Sequence, residues 1–294
     1  MRFVNVLMSS PETHKDRLAD MVTRSDRNEW AESIEPLIRQ RSPYPTSYDV
    51  AATQKTNFQE FTYTEFAGGA LLTTQSIDVN TRLMQLAAQE GGDTTSILEN
   101  WSKLLKDKYE LHREEEEDFE YPERMIFTPA NNAFDLLSWE TMCRVSHDNE
   151  DVRVKPHPLC DGEGVKQIVD RIGWNNLIPR THSGMDYMLN SKEVWGTSCS
   201  ELTVTAALLG KKVHNVGNFF HEADGAYYPL TRELFTWKDQ QQAVLNMAAC
   251  EFSGLIFPWQ SEEEITMRID KFYEKALEIR RAYKPMYVQY PRKR

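Results

Sequence analysis

Two short segments carry the residue types that can hold a phosphate. Lys155-Pro156-His157-Pro158 stands where a predicted strand stops, and Gly196-Thr197-Ser198-Cys199-Ser200-Glu201 stands where a strand gives way to a helix. In the first, an imidazole can donate to a phosphate oxygen while two prolines with fixed φ keep the loop stiff around it. A donor that is already aimed needs no reorganisation when charge arrives. Taken alone, a His-Pro pair is also the mark of an ordinary structural loop. In the second segment, the unsatisfied N–H groups that open a helix lie beside several hydroxyls, where capping alone requires one. Ser198 and Ser200 are therefore expected to contact the anion with His157. Gly196 is expected to let a ligand approach the backbone, and Glu201 falls in the first turn, where a carboxylate suits the helix dipole. Strand alternation ranks Lys155 and Thr197 behind these. A carboxylate that takes a proton from a hydroxyl must reach within about 3 Å of it. Glu65, which ends a strand-like run just before Gly68-Gly69, is the first candidate and Asp78 the second; the competing reading of both is a solvated loop carboxylate.

These segments need a scaffold that brings strand ends together. From residue 121 onward the pattern alternates between short apolar runs and amphipathic stretches: strands near 124–130, 151–158, 192–197 and 211–217, a short one at 175–178, and helices over 133–146, 162–173, 182–191 and 200–210. Such alternation predicts a parallel sheet covered on both faces, whose ligand lies outside the carboxyl ends of the strands. Upstream, a strand is expected over 1–8, helical stretches near 13–40, 81–89 and 95–111, and a break at 41–49. The acidic run 113–120 suits an exposed linker, because neighbouring like charges repel. Ser261 with Glu264 predicts a capping box that opens a long helix over 261–284. The division implied is 1–120, 121–255 and 256–294.

Composition narrows the functional classes. Lys and Arg number 34 against 45 Asp and Glu, a formal charge of −11, which disfavours a sequence-blind grip on nucleic acid. No run of eighteen apolar residues and no leading apolar region occurs, so a cytoplasmic protein without a transmembrane segment is expected. The four cysteines, Cys143, Cys160, Cys199 and Cys250, have no C-x-x-C spacing, and no tightly bound metal is expected. Neither G-x-G-x-x-G nor G-x-x-x-x-G-K-[ST] is present, which argues against the standard NAD and P-loop sites. A phosphate site of this kind suits a nucleotide that serves as leaving group.

The stretch 121–217 resembles the GT-B glycosyltransferases of bacterial capsule polysaccharide synthesis and their sialyl- and Kdo-transferring relatives. VRVKPHP at 152–158 looks like their His-Pro motif, and WGTSCSELTVTAALLGKKV at 195–213 looks like their hydroxyl-rich turn and helix, with Gly210 and Lys211 at the Gly-Lys that follows. The resemblance implies an α/β fold of two Rossmann-like domains with parallel sheets facing a cleft, and a UDP- or CMP-sugar donor. His157, Ser198 and Ser200 would lie on the donor phosphates. Two positions depart: Thr205 replaces the family's helix glutamate and Lys212 its proline, so Glu201 becomes a substitute contact. The implied reaction moves a sugar to a hydroxyl acceptor, with a glycan preferred. Modified DNA is the alternative acceptor, for which Tyr63 or Trp101 would fill the gap left by a flipped base. A nucleotide-sugar epimerase or hydrolase is the alternative reaction.

Overall fold

The computed structural model describes residues 29–43, 46–48, 61–74, 76–110, 121–148, 150–198, 200–218 and 229–288. The strand expected over 1–8, the start of the helical stretch 13–40, the acidic run 113–120 and Cys199 lie outside them. In chain order the first half holds α1 (Glu29–Arg41), β1 (Thr46–Tyr48), β2 (Phe61–Phe66), β3 (Gly69–Thr74), α2 (Ile77–Glu90) and α3 (Ile97–Glu110). Next come β4 (Arg124–Phe127), a 3-10 helix (Asn131–Leu136), α4 (Trp139–His147), β5 (Val152–Lys155), α5 (Gly162–Ile172) and a 3-10 turn (Trp174–Asn176). The chain continues through α6 (Gly184–Asn190), β6 (Glu193–Gly196), α7 (Glu201–Leu208) and β7 (Lys212–Asn215). It closes with α8 (Pro229–Leu234), α9 (Gln240–Ala249), β8 (Leu255–Ile256) and α10 (Glu262–Val288).

The architecture is mixed α/β with two separate sheets, ordered β1-β2-β3-β8 and β5-β4-β6-β7. The second sheet is parallel throughout, as the alternation predicts. A single parallel bridge from Val154 to Leu177 continues it one position beyond β5. The chain therefore starts at β4, steps outward to β5 and then residue 177, and returns to the other side of β4 for β6 and β7. That reversal puts the topological switch point between β4 and β6, the position at which open α/β sheets receive their ligands.

The first sheet departs from the parallel arrangement expected for it. β1 and β2 are parallel, but β2-β3 is an antiparallel hairpin and β8 joins β3 antiparallel. The hairpin turns on Ala67 and Gly68, both at positive φ, which is the twist a two-residue loop needs. A Cβ on Gly69 would lie 2.4 Å from the Ile256 carbonyl oxygen and one on Gly68 would meet Leu104. These glycines make room for the protein's own chain.

Local signals explain most helix limits. Ser76 accepts from the Val79 N–H and starts α2 four residues before the expected 81, which shortens the strand run before it. The helix expected over 133–146 is two pieces, because Leu137 leaves the helix to bridge Gly217 and Ser138 then caps α4. At the start of α10, Ser261 accepts from the Glu264 N–H as predicted, whereas the Glu264 carboxylate turns to Gln260 and Arg268. Arg268 is buried and donates to the carbonyls of Ala248, Ala249, Cys250 and Leu255, so its guanidinium closes the carbonyl end of α9. α10 packs on the first sheet's side of the molecule, where Arg41 pairs with Asp270 at 2.6 Å and Phe61 meets Phe272 and Tyr273 edge to face. One core cluster joins the two halves: Phe66 and Leu71 of the first sheet share it with Met125 and Phe127 of the second.

Candidate functional site

Five chain segments leave the parallel sheet at one edge: 128–131 after β4, 156–161 after β5, 178–183 after the Leu177 bridge, 197–200 after β6 and 216–218 after β7. Backbone bonds tie the first three together, from Thr128 N–H to the Lys155 carbonyl and from Ile178 N–H to the Val154 carbonyl.

Lys155, the last residue of β5, is buried at 1% exposure. Its Nζ donates to the Arg180 carbonyl at 3.1 Å and more distantly to the Pro156 carbonyl at 3.5 Å. No carboxylate pairs with it among the described residues. Desolvation pulls its pKa down to about 8, so the amine still carries its charge at neutral pH inside protein. A buried cation supported only by carbonyl dipoles is an unfavourable arrangement unless an anion completes it.

His157 follows two residues later and is packed by protein on most sides while part of its surface stays open. The Leu159 N–H donates to its Nδ1 at 3.1 Å. That bond places the proton of a neutral ring on Nε2, leaving an N–H donor at that atom. Burial, with the Lys155 charge adding to it, lowers the pKa to about 4. The imidazole is thus a neutral donor at physiological pH, not a cation.

The β6–α7 junction differs from a plain cap. Ser200 holds the N-cap position of α7, yet its side chain makes no capping bond, in contrast to Ser76, Ser138, Asp161, Ser183 and Asp239 at other helices. Thr203, in the first turn of α7, is fully buried and its hydroxyl makes no hydrogen bond. Sequence reasoning passed over Thr203, which carries no motif and reads as one more residue of an apolar helix. A Cβ on Gly196 would lie 2.1 Å from Thr203 Oγ1. The glycine therefore admits Thr203 to the junction, which corrects the expectation that it admits a ligand. Thr197 and Ser198 are buried beneath the turn. Glu201 is half-buried in the first turn, and Thr205 is buried with its hydroxyl donating to the Glu201 carbonyl at 3.3 Å.

The structure thus gathers Lys155, His157, Thr197, Ser198, Ser200 and Glu201 at one edge of one sheet. Glu65 and Asp78 stand elsewhere: Glu65 is half-buried in β2 opposite Ala70, and Asp78 is exposed in the first turn of α2. Tyr63 and Trp101 are corrected outright. Both are buried, with Trp101 Nε1 donating to the Ala67 carbonyl, so neither is placed to fill a gap in a duplex. Two surface grooves are lined by none of these site residues, one of about 330 Å³ along β7 beside Trp237 and Lys238, the other of about 680 Å³ where the end of α9 meets α10. Among the described residues no three His, Cys, Asp or Glu side chains gather as metal ligands, and no helix is long and apolar enough to cross a membrane.

No family model matches the chain, and no curated protein matches its sequence. Among solved structures it aligns with the "putative UDP-N-acetylglucosamine 2-epimerase" of Listeria monocytogenes at 15% identity and a TM-score of 0.28. The alignment covers 60% of this chain and 50% of that one. At that score the likeness carries no argument about activity. What the geometry itself defines is a mixed α/β protein that contains a four-stranded parallel sheet of order β5-β4-β6-β7.

Proposed function

We propose that the chain is a nucleotide-sugar-dependent glycosyltransferase that holds the donor phosphates at the carboxyl edge of the second sheet. The observation that carries this reading is Lys155, a buried cation with carbonyl partners only, two residues from a neutral histidine whose Nδ1 is occupied and whose proton is therefore on Nε2. The alternation of 121–255 makes that part the donor side, with 1–120 as the acceptor side and the 256–294 segment packed against it.

In this reading Lys155 supplies charge, His157 a neutral N–H, and the start of α7 its N–H groups with the Ser198 and Ser200 hydroxyls. As the bond from sugar to phosphate breaks, negative charge grows on the leaving oxygen. Donors that are already oriented stabilise that charge more than they stabilise the bound donor. Glu65, with Asp78 second, is proposed to take the proton from the acceptor hydroxyl if transfer inverts. The acceptor is proposed to be a glycan. The burial of Tyr63 and Trp101 removes the aromatic wedges that the DNA alternative called on.

A donor-by-acceptor screen tests the reading. Labelled UDP- and CMP-sugars would be offered with oligosaccharides and with hydroxymethylcytosine and hydroxymethyluracil DNA. Label on a glycan supports the proposal; label on modified DNA alone replaces the acceptor; free sugar released without acceptor indicates a hydrolase or epimerase. Full transfer by E65Q would remove Glu65 as the base.

A further inference from the structure

The sequence holds eleven more acidic than basic residues, so its cations ordinarily find carboxylates. Several described ones do: Arg39 with Glu35, Arg41 with Asp270, Lys192 with Glu123, and Lys271 with Glu251. At the edge of the second sheet two cations do not. Lys155 Nζ rests on the Arg180 and Pro156 carbonyls, and the Arg180 guanidinium donates through Nη1 to the Cys160 carbonyl. The two are linked directly, because the carbonyl that receives Lys155 belongs to Arg180 itself.

Arg180 lies in the loop that follows the Leu177 bridge, next to the loop that carries His157. The Cys160 N–H donates to the His157 carbonyl at 2.9 Å, so the carbonyl that anchors Arg180 belongs to the same turn as the histidine. A guanidinium has five N–H donors in a fixed fork. One is used at Cys160 and the residue is exposed, so the rest of the fork is available at the rim while its base stays anchored. Planar forks of this kind suit phosphate oxygens.

We propose that Arg180 is a further anion-binding residue of this site, which with Lys155 fits it to a doubly charged group such as a diphosphate. The proposal rests on the phosphate-binding reading above and adds to it a residue and a ligand charge. Lys155 neutralises one charge from beneath the loops and Arg180 the other from the rim. The competing role for Arg180 is a staple between two loops, and the experiment separates the two.

Calorimetric titrations would use inorganic pyrophosphate and the singly charged dimethyl phosphate, with wild type, R180A, R180K and H157A. Wild type is expected to prefer pyrophosphate by about tenfold or more. R180A should weaken pyrophosphate about 10- to 100-fold and dimethyl phosphate by less than about threefold, charge-assisted bonds being the stronger kind. R180K should fall between, and the melting temperature of both variants should stay within about 2 °C of wild type. If R180A binds pyrophosphate as wild type does while H157A is weakened, the proposal is overturned and the phosphate site stands. Equal losses for both probes with a lowered melting temperature would make Arg180 a staple, which also overturns it. If wild type binds neither probe, the phosphate reading fails and this inference with it.

Discussion

Replacing Lys155 by methionine should stabilise the unliganded protein while it removes anion binding. The fall of the lysine pKa from 10.5 to about 8 on burial corresponds to about 3 kcal/mol of unfavourable free energy at pH 7, at about 1.4 kcal/mol per pH unit. Methionine of similar length carries no such cost but forfeits the bonds to the Arg180 and Pro156 carbonyls, about 1 kcal/mol for the better one. The expected net gain at pH 7 is about 1–2 kcal/mol. Its pH dependence is more telling than its size. Between pH 8 and 10.5 the unfolded chain binds the lysine proton and the native state does not, so wild-type stability rises with pH through that window relative to K155M. The advantage of the variant should shrink by about 2 kcal/mol between pH 7 and 9.5. Urea denaturation of both proteins at the two pH values measures it, with m-values compared to confirm that the same transition is followed. A K155M protein less stable than wild type by the same amount at both pH values would refute the reasoning. It would mean that the amine is fully satisfied by carbonyls and needs no anion.

H157A should weaken binding of the preferred nucleotide about 10- to 100-fold, read by calorimetry with UDP, CMP and GDP, because a donor aimed at a charged oxygen is lost. Since the ring is neutral in the native state down to about pH 4 and protonates near 6.5 when unfolded, wild type should lose stability as pH falls through that interval, and H157A should lose less. G196A should destabilise by about 1–3 kcal/mol through the collision with Thr203 Oγ1; in a T203A background, thermal denaturation should show most of that loss gone. R268M should cost about 2–4 kcal/mol, because the carbonyls of residues 248, 249, 250 and 255 lose their donor, and hydrogen exchange should show the end of α9 fraying first.

The second half of the fold was legible because its signals are local. The strands from β4 to β7 are short, α4, α5, α6 and α9 each open on a side-chain cap, and the parallel arrangement follows from their alternation. The reading failed where a distant partner overrode the local pattern. Residues 133–146 have helical periodicity, but Leu137 is drawn out to bridge Gly217, eighty positions away. The first sheet was harder for the same reason. Its fourth strand is only Leu255–Ile256, too short to show a period, and it pairs with β3 across most of the chain.

The two candidate segments were legible as strand-end features, and the structure sets both the His-Pro loop and the hydroxyl-rich junction at the carboxyl edge of the second sheet. Strand alternation ranked Lys155 second, because alternation says which face a side chain takes and nothing about whether a charge there finds a partner. Arg180 and Thr203 went unmarked, as neither belongs to a motif. Arg180 matters through the Lys155 ammonium on its own carbonyl, and Thr203 through the missing Cβ of Gly196. The overall charge of −11 does not describe this edge. It describes the field far from the protein, screened within about 10 Å at ordinary salt. An anion at the sheet edge responds instead to the charges it touches, and there Lys155 and Arg180 rest on carbonyls, while the Glu201 and Asp161 carboxylates stand on the same edge.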